Sequence, residues 1–492
     1  MTEAALLEGR SQTLAAPLVV LDKFTGATLA ELPQLTAADA DDLIREGQAA
    51  TAVAAALPRH ERARILDDAA QRLSQREDVA ARLIVAEAGK TIRQARREVA
   101  RAVNTLRLSA TQARSNVGEV VPFDGYAAGA GRQGWFTREP LGLVLAITPY
   151  NDPLNLVAHK LGPAIAGGNA VILKPSQLTP LSARFLVDLL VEAGLPEPIV
   201  TVAHGDRHLT QALVRARQVR MVSFTGGFAT GEAIAASAGV KRLEMELGGN
   251  APVLVFEDAD LDAAVTACVS GAFWAAGQNC IGVQRILVHR SIQHDFTLAV
   301  ADATRVLVAG DPTSESTDVG PMISAQAAAA ALATVDAAVA EGALLLTGGQ
   351  RRGSVLLPTV LAKVPTTARL WREEAFAPVV AIVPFDTEDE AVAIANDSEF
   401  ALQAGVFTQD IDRALRVASR IEAGGVMIND SSDVRLDAMP FGGSKYGSMG
   451  REGVRFAYEA MTQPKVIAIT HRASSTPPTA TIATTATEGA KR

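Results

Sequence analysis

Between residues 140 and 250 the chain alternates short apolar runs with helical stretches, and this rhythm limits the fold more than any other feature. Leu143–Thr148, Ala170–Lys174, Ile199–Ala203 and Met221–Thr225 read as strands. Leu154–Ile165, Leu181–Ala193 and Leu209–Arg217 read as the helices between them. Neighbouring parallel strands need a crossover of helical length, so this pattern predicts a parallel sheet and a nucleotide-binding architecture. A second α/β unit follows from about Ala251 to Asp430, with strands at Pro252–Phe256, Arg285–His289, Val379–Pro384 and Gly425–Asn429. Residues 37–115 read as amphipathic, Ala- and Arg-rich helices. The predicted class is α/β. It has a Rossmann-like cofactor-binding domain (1–118 and 139–247), an α/β catalytic domain (248–445) and a small β element (119–138 and 455–472).

Bulk properties narrow the partners. At 492 residues the chain exceeds one hydrophobic core. A net charge of −8 argues against nonspecific nucleic-acid binding, which needs a basic face. No apolar run approaches a membrane span, and Glu3, Glu8 and Arg10 do not fit a signal peptide. The two cysteines, Cys268 and Cys280, make no disulfide framework and point to a reducing cytosol. The Ala-, Thr-, Ser- and Pro-rich tail from Ala473 to Arg492 is expected to be disordered.

Cys280 ends the tetrapeptide Gly277-Gln278-Asn279-Cys280, between an apolar helix-like run (Val269 to Ala276) and a strand-like one (Val283 to Val288). A loop position leaves the sulfur accessible, and nearby unpaired N–H groups can stabilise an oxyanion. The alternative is a small buried hydrophobe, which is the reading for Cys268 within its helical run. Three further segments accompany the loop. They are Glu246-Leu247-Gly248-Gly249-Asn250, Thr148-Pro149-Tyr150-Asn151-Asp152-Pro153 and Glu373-Glu374-Ala375-Phe376-Ala377-Pro378. Together these motifs resemble the aldehyde dehydrogenase superfamily, in the family's order, from about Leu18 to about Ile469.

The resemblance implies roles. Cys280 is the nucleophile that adds to an aldehyde, and the Cys280 N–H with the Asn151 amide holds the oxyanion. Glu246 is the base that lets water hydrolyse the resulting thioester. Lys174 and Ser176 face the adenosine ribose, Thr225, Gly226 and Gly227 the pyrophosphate, and Glu374 and Phe376 the nicotinamide end. The cofactor is NAD or NADP. Gln177 stands where NAD-preferring relatives carry Glu, so NADP is expected to be accepted. The family often has Ser at Gly227 and usually Gly at Ala377. Asp152 replaces a common aromatic residue, and Asp152, Arg107, His159 and Arg435 are the predicted substrate residues. They suggest the branch acting on short polar or anionic aldehydes. The residues at 119–138 and 455–472 match an oligomerisation element, which implies a homodimer or homotetramer.

Four alternatives fare less well. Gly129-Ala130-Gly131-Arg132-Gln133-Gly134 fits GxGxxG literally but neither follows a strand nor opens a helix. His204 and His208 lack a third ligand, so no metal is expected. A coenzyme A-acylating enzyme would not need Glu246, and a noncatalytic nucleotide binder would not need Asn151, Glu246 and Cys280 together.

Overall fold

Two mainly parallel sheets organise residues 16–471, the part of the chain described by this computed structural model. The first runs in the order Ser448–Met449, Arg242–Glu246, Val219–Thr225, Leu143–Ile147, Ala170–Lys174 and Val200–Val202. All its pairings are parallel except that of the short Ser448–Met449 edge. Leu143–Ile147 lies near the middle and is buried throughout. The helix Asn155–Gly167 is likewise buried along its whole length and stops at Gly168, whose φ of 83° is left-handed. Helices Arg59–Gln75, Glu77–Ala88 and Ile92–Ser115 pack around the same core. Ile92–Ser115 begins at a capping box, in which Thr91 and Gln94 satisfy each other's backbone.

The second sheet runs Leu344–Thr347, Thr359–Ala362, Val379–Phe385, Val283–His289, Ala251–Val255, Gln403–Phe407 and Gly425–Ile428. Only its first strand is antiparallel. This sheet carries a separate apolar core that includes Cys268. The chain passes from one sheet to the other at residues 247–250, between the ends of Arg242–Glu246 and Ala251–Val255.

A third sheet stands apart. Thr462–Thr470 pairs antiparallel with Arg132–Pro140, which pairs with Gly118–Val121. After Thr462 every residue of Thr462–Thr470 is exposed, including Val466, Ile467 and Ile469.

Several sequence expectations change here. Residues 119–138 are not a plain hairpin, because two 3₁₀ turns, Phe123–Gly125 and Ala127–Gly129, interrupt them. The GxGxxG segment falls on the second turn and the start of Arg132–Pro140. Residues 455–460 do not belong to the small sheet. They lie on the helix Val454–Ala460, whose Tyr458 joins the first core with Met461. The strands Arg242–Glu246 and Gln403–Phe407 and the hairpin Leu18–Leu21/Thr28–Leu32 were not anticipated. Arg242–Glu246 (RLEME) buries both its glutamates, the reverse of the usual pattern. The tail at 473–492 lies outside the described residues.

Candidate active site

Cys280 sits on a strained loop. The helix Leu261–Phe273 ends at Trp274, and Ala275, Ala276 and Gly277 follow with φ of 50°, 54° and 67°. Left-handed alanines cost about 1–2 kcal/mol each, so surrounding contacts must hold them. Gln278 supplies those contacts. Its side-chain Oε1 accepts from the Ile323 N–H at 2.9 Å, and its Nε2 donates to the Ala275 carbonyl at 3.2 Å. Gly249 permits the loop's close approach, since a Cβ there would overlap the Cys280 carbonyl.

Asn151 meets this loop from the first sheet's side. Its Nδ2 donates to the Gln278 carbonyl at 3.0 Å. That bond uses one amide hydrogen and fixes the side chain, leaving the second for another acceptor. Among the described residues the Cys280 N–H has no acceptor. A free backbone N–H and a fixed amide thus stand beside a half-buried thiol. Burial pushes that thiol up, and Glu374, Glu246 and Asp152 add to the shift against the pull of Arg435.

Glu246 ends the strand Arg242–Glu246. Both carboxylate oxygens are buried without a hydrogen-bond partner. Burial raises its pKa well above the ordinary value, and the carboxylates Glu452 and Glu244 reinforce this. Glu244, two residues earlier, is also unpartnered at both oxygens and is pushed up to about 8 by burial. Glu374 is pushed to about 8 by burial, although its Oε1 accepts from the Gly249 N–H at 2.9 Å.

The residues proposed for the cofactor gather at strand ends. Lys174 closes Ala170–Lys174 and is half-buried, as are Ser176 and Gln177 just beyond it. Thr225 closes Val219–Thr225, and its hydroxyl donates to Glu452 at 3.0 Å. Gly227 caps the helix Phe228–Ala238 with no side-chain hydrogen bond. A Cβ at Gly227 would meet nothing, so space is open beside the start of this helix. Carboxyl ends of parallel strands and an open helix N-terminus suit a dinucleotide. Phe376 has φ of 44° and sits edge-on to Tyr150 with ring centroids 5.9 Å apart, next to Asn151.

The predicted substrate residues separate. Asp152 pairs with both Lys90 and Arg101. Burial acts to raise its carboxyl, but these two cations outweigh it and hold it below the usual range. Asp437 accepts from Arg101 at 2.9 Å and from His159 at 3.0 Å, and their charges and hydrogen bonds overcome burial to keep it well below the carboxylate range. His159 is buried beside it and therefore held neutral, with its pKa lowered by burial. Arg435 stacks over Phe441 with its guanidinium carbon 3.7 Å from the ring centroid and pairs with Glu452 at 2.9 Å. Arg107 is an exposed residue outside this network. The arginine that enters it is Arg101. Glu98 binds the Leu154 and Asn155 N–H groups at 2.8 and 3.1 Å and Lys90 at 2.8 Å, which fixes the start of the helix bearing His159. Buried Lys160 donates to Glu452 at 3.1 Å, and it, Lys90, Glu98, Arg101, Glu244, Asp437 and Glu452 are residues that the sequence does not single out. Helical phase offered one signal, since Glu98, Arg101 and Thr105 share a face and Arg107 falls off it.

Among the described residues no cluster of His, Cys, Asp or Glu could hold a metal, and no helix is long and apolar enough to cross a membrane. Residues 10–467 match the model of the aldehyde dehydrogenase family. An aspartate-semialdehyde dehydrogenase of Pseudomonas canavaninivorans is 60% identical over 92% of this chain and 96% of that protein. A 3-sulfolactaldehyde dehydrogenase of Priestia aryabhattai is 40% identical over 94% of this chain and 97% of its own. Among solved structures, a glyceraldehyde-3-phosphate dehydrogenase of Methanocaldococcus jannaschii complexed with NADP superposes with a TM-score of 0.89. It is 37% identical and covers 94% of this chain and all of that one.

Proposed function

This chain belongs to the aldehyde dehydrogenase family, and from that premise we propose that it oxidises a short anionic aldehyde to its carboxylic acid with NAD or NADP. The carrying observation is the convergence of Cys280, the anchored Asn151 amide and the free Cys280 N–H. The Cys280 sulfur, as thiolate, adds to the aldehyde carbon and forms a thiohemiacetal. Asn151 and the Cys280 N–H hold the oxyanion, with no reorganisation needed at the moment of attack. When bound, the nicotinamide accepts the hydride that leaves the adduct carbon. Cys280 then carries a thioester. Ionised Glu246 takes a proton from water, the resulting hydroxide attacks the thioester carbonyl, and the acid departs as the thiol reforms. The two unshared oxygens of Glu246 support hydrolysis over transfer to coenzyme A.

Lys174, Ser176 and Gln177 would hold the adenosine ribose, Thr225, Gly226 and Gly227 the pyrophosphate, and Glu374 and Phe376 the nicotinamide end. The three compared enzymes are named for aspartate semialdehyde, 3-sulfolactaldehyde and glyceraldehyde 3-phosphate, all short aldehydes with an acidic group. Arg435 supplies the matching cation here. Copies of the chain associate through the open edge of Thr462–Thr470, because an exposed apolar edge strand otherwise invites aggregation. Two free thiols suit a reducing cytosol.

Glu246→Gln tests the reading. It removes the base but leaves thiolate attack intact. A burst of reduced cofactor should survive while steady turnover falls about 10²–10³-fold. Unchanged steady turnover would remove Glu246 from the mechanism.

A further inference from the structure

Glu244 costs stability where it stands. It lies two residues before Glu246 on the strand Arg242–Glu246, and both side chains are buried. Successive side chains of a strand point to opposite faces, so these two share a face, with β-carbons about 6.5–7 Å apart. Carboxyl groups on such a pair can exchange a proton directly or through one water. Their four oxygens have no hydrogen-bond partner among the described residues. Burying a polar group unpaired costs about 1–3 kcal/mol. Lys160 faces Glu244 from the helix Asn155–Gly167 but donates elsewhere, to Ser223 and Glu452, both at 3.1 Å. Ser223 is the residue opposite Glu244 on the neighbouring strand.

Glu246 needs a proton outlet, because a base that has taken a proton from water must lose it before the next hydrolysis. The third carboxylate of this cluster is a poor outlet. Glu452 accepts from Lys160 at 3.1 Å, Thr225 at 3.0 Å and Arg435 at 2.9 Å. Burial acts to raise its carboxyl, but Lys160 and Arg435 outweigh burial and hold it ionised. Glu244 has free oxygens and lies toward the surface. The edge strand Ser448–Met449 pairs with Glu246 and Met245 and stops there. The next residue, Gly450, is exposed with φ of 95°, and a Cβ on it would stand 3.2 Å from Glu244 Cγ. Glu246 lies instead against buried Gly442, where a Cβ would stand 3.1 Å from its Oε1.

We propose that Glu244 is the proton exit of the hydrolytic base, carrying to solvent beneath Gly450 the proton that Glu246 takes from water. The exit rests on the role of Glu246 in the function proposed above. In each turnover Glu244 gives its hydrogen to solvent water. Protonated Glu246 then passes its own hydrogen to the emptied Glu244 carboxylate and is left ionised for the next thioester. Burial raises both carboxyls, Glu244 to about 8, so the proton never has to settle on a strongly acidic group such as Glu452. Glu244 touches neither substrate nor cofactor and acts only through Glu246.

The base works during a hydrolysis and the exit works after it, so kinetics separate them. In Glu244→Gln the first turnover, read by rapid quench as acid formed per site, should keep the wild-type rate within about twofold, while steady turnover falls at least about tenfold. In Glu244→Ala, added formate should restore steady turnover at least about fivefold, because a small acid can stand where the side chain stood. The wild type should not respond to formate. A merely structural role would slow the first turnover as well and would gain nothing from formate. Steady turnover of Glu244→Gln within about twofold of wild type would overturn the exit. A first turnover slowed as much as the steady rate would do the same, as would a loss that formate leaves unchanged. None of these results touches the proposed function, which fails only if Glu246→Gln hydrolyses its thioester at the wild-type rate in the first turnover.

Discussion

The two flanks of Cys280 use carboxylates in opposite ways. On one flank Asp152 and Asp437 are each gripped by Arg101 and by a second partner, and both are held ionised. On the other flank Glu246 and Glu244 are more deeply buried and have no hydrogen-bond partner, and both are pushed toward the protonated form. Burial alone therefore does not determine charge. At Asp152 and Asp437 the paired groups outweigh desolvation, whereas at Glu244 and Glu246 the pull of Lys160, joined by Arg435 at Glu246, does not, and Glu98 is raised even though Lys90 binds it. The paired flank holds its carboxylates ionised, and the unpaired one holds carboxyls that favour the protonated form.

The contrast fails outright if the thiol between the flanks is not the reacting group. Cys280→Ala should lower aldehyde oxidation by at least about 10⁴-fold while cofactor still binds by fluorescence titration, whereas Cys268→Ala should be nearly silent. Substantial oxidation by the Cys280 variant would end the argument.

Stability probes the flanks directly. Asp152→Ala strands the buried Lys90 with one partner fewer and should cost about 3–5 kcal/mol in urea unfolding. Glu244→Gln replaces a carboxyl that the fold protonates but the unfolded chain ionises at neutral pH, so it should raise stability there rather than lower it. The sign of the pH effect follows. With a folded pKa of about 8, above the ordinary carboxyl value, Glu244 adds stability at low pH that is lost as pH rises through 8. Wild type should therefore lose stability relative to Glu244→Gln as pH climbs from 4.5 to about 8, and the difference should level off above that. Similar losses for Asp152→Ala and Glu244→Gln at neutral pH would erase the distinction.

The mouth of the site tests whether the cations also read substrate. Arg435→Met should raise KM for an anionic aldehyde about tenfold more than for propanal, the size of one charge-assisted hydrogen bond. Equal effects would make Arg435 a purely structural partner of Glu452. The smallest effect concerns the cofactor. Gln177 is neutral and does not repel a 2′-phosphate, so the wild type should accept NADP. Gln177→Glu should shift kcat/KM toward NAD by roughly threefold to tenfold, about one surface charge contact. A wild type with no NADP activity would show that position 177 does not govern the choice.

How much of this could be read from sequence depends on the range of the interaction. The strand at Ala170–Lys174 was placed to the residue and that at Leu143 to within one, because a continuous apolar run between turn signals is a local pattern. Cys280, Glu246 and Asn151 stood out through motif order. The ionic wall did not. Arg101 and Asp437 are 336 residues apart, and Lys90 and Asp152 are 62 apart, so no window contains either pair. Sequence points to Arg107 and is silent on Arg101, because both lie on one helix and only its phase against the first core tells them apart. Arg242–Glu246 escaped because charged residues at inward positions contradict the pattern used to recognise strands.

The left-handed turn at Ala275, Ala276 and Gly277 bears on how the enzyme ages. The loop stores strain and is held by the Gln278 side chain, by the Asn151 amide on the Gln278 carbonyl and by burial of Ala275, Ala276 and Gly277. Where heat breaks these fastenings first, the thiol is unseated while both sheets stand. Catalytic lifetime and fold lifetime are then separate quantities, and shortening one need not shorten the other.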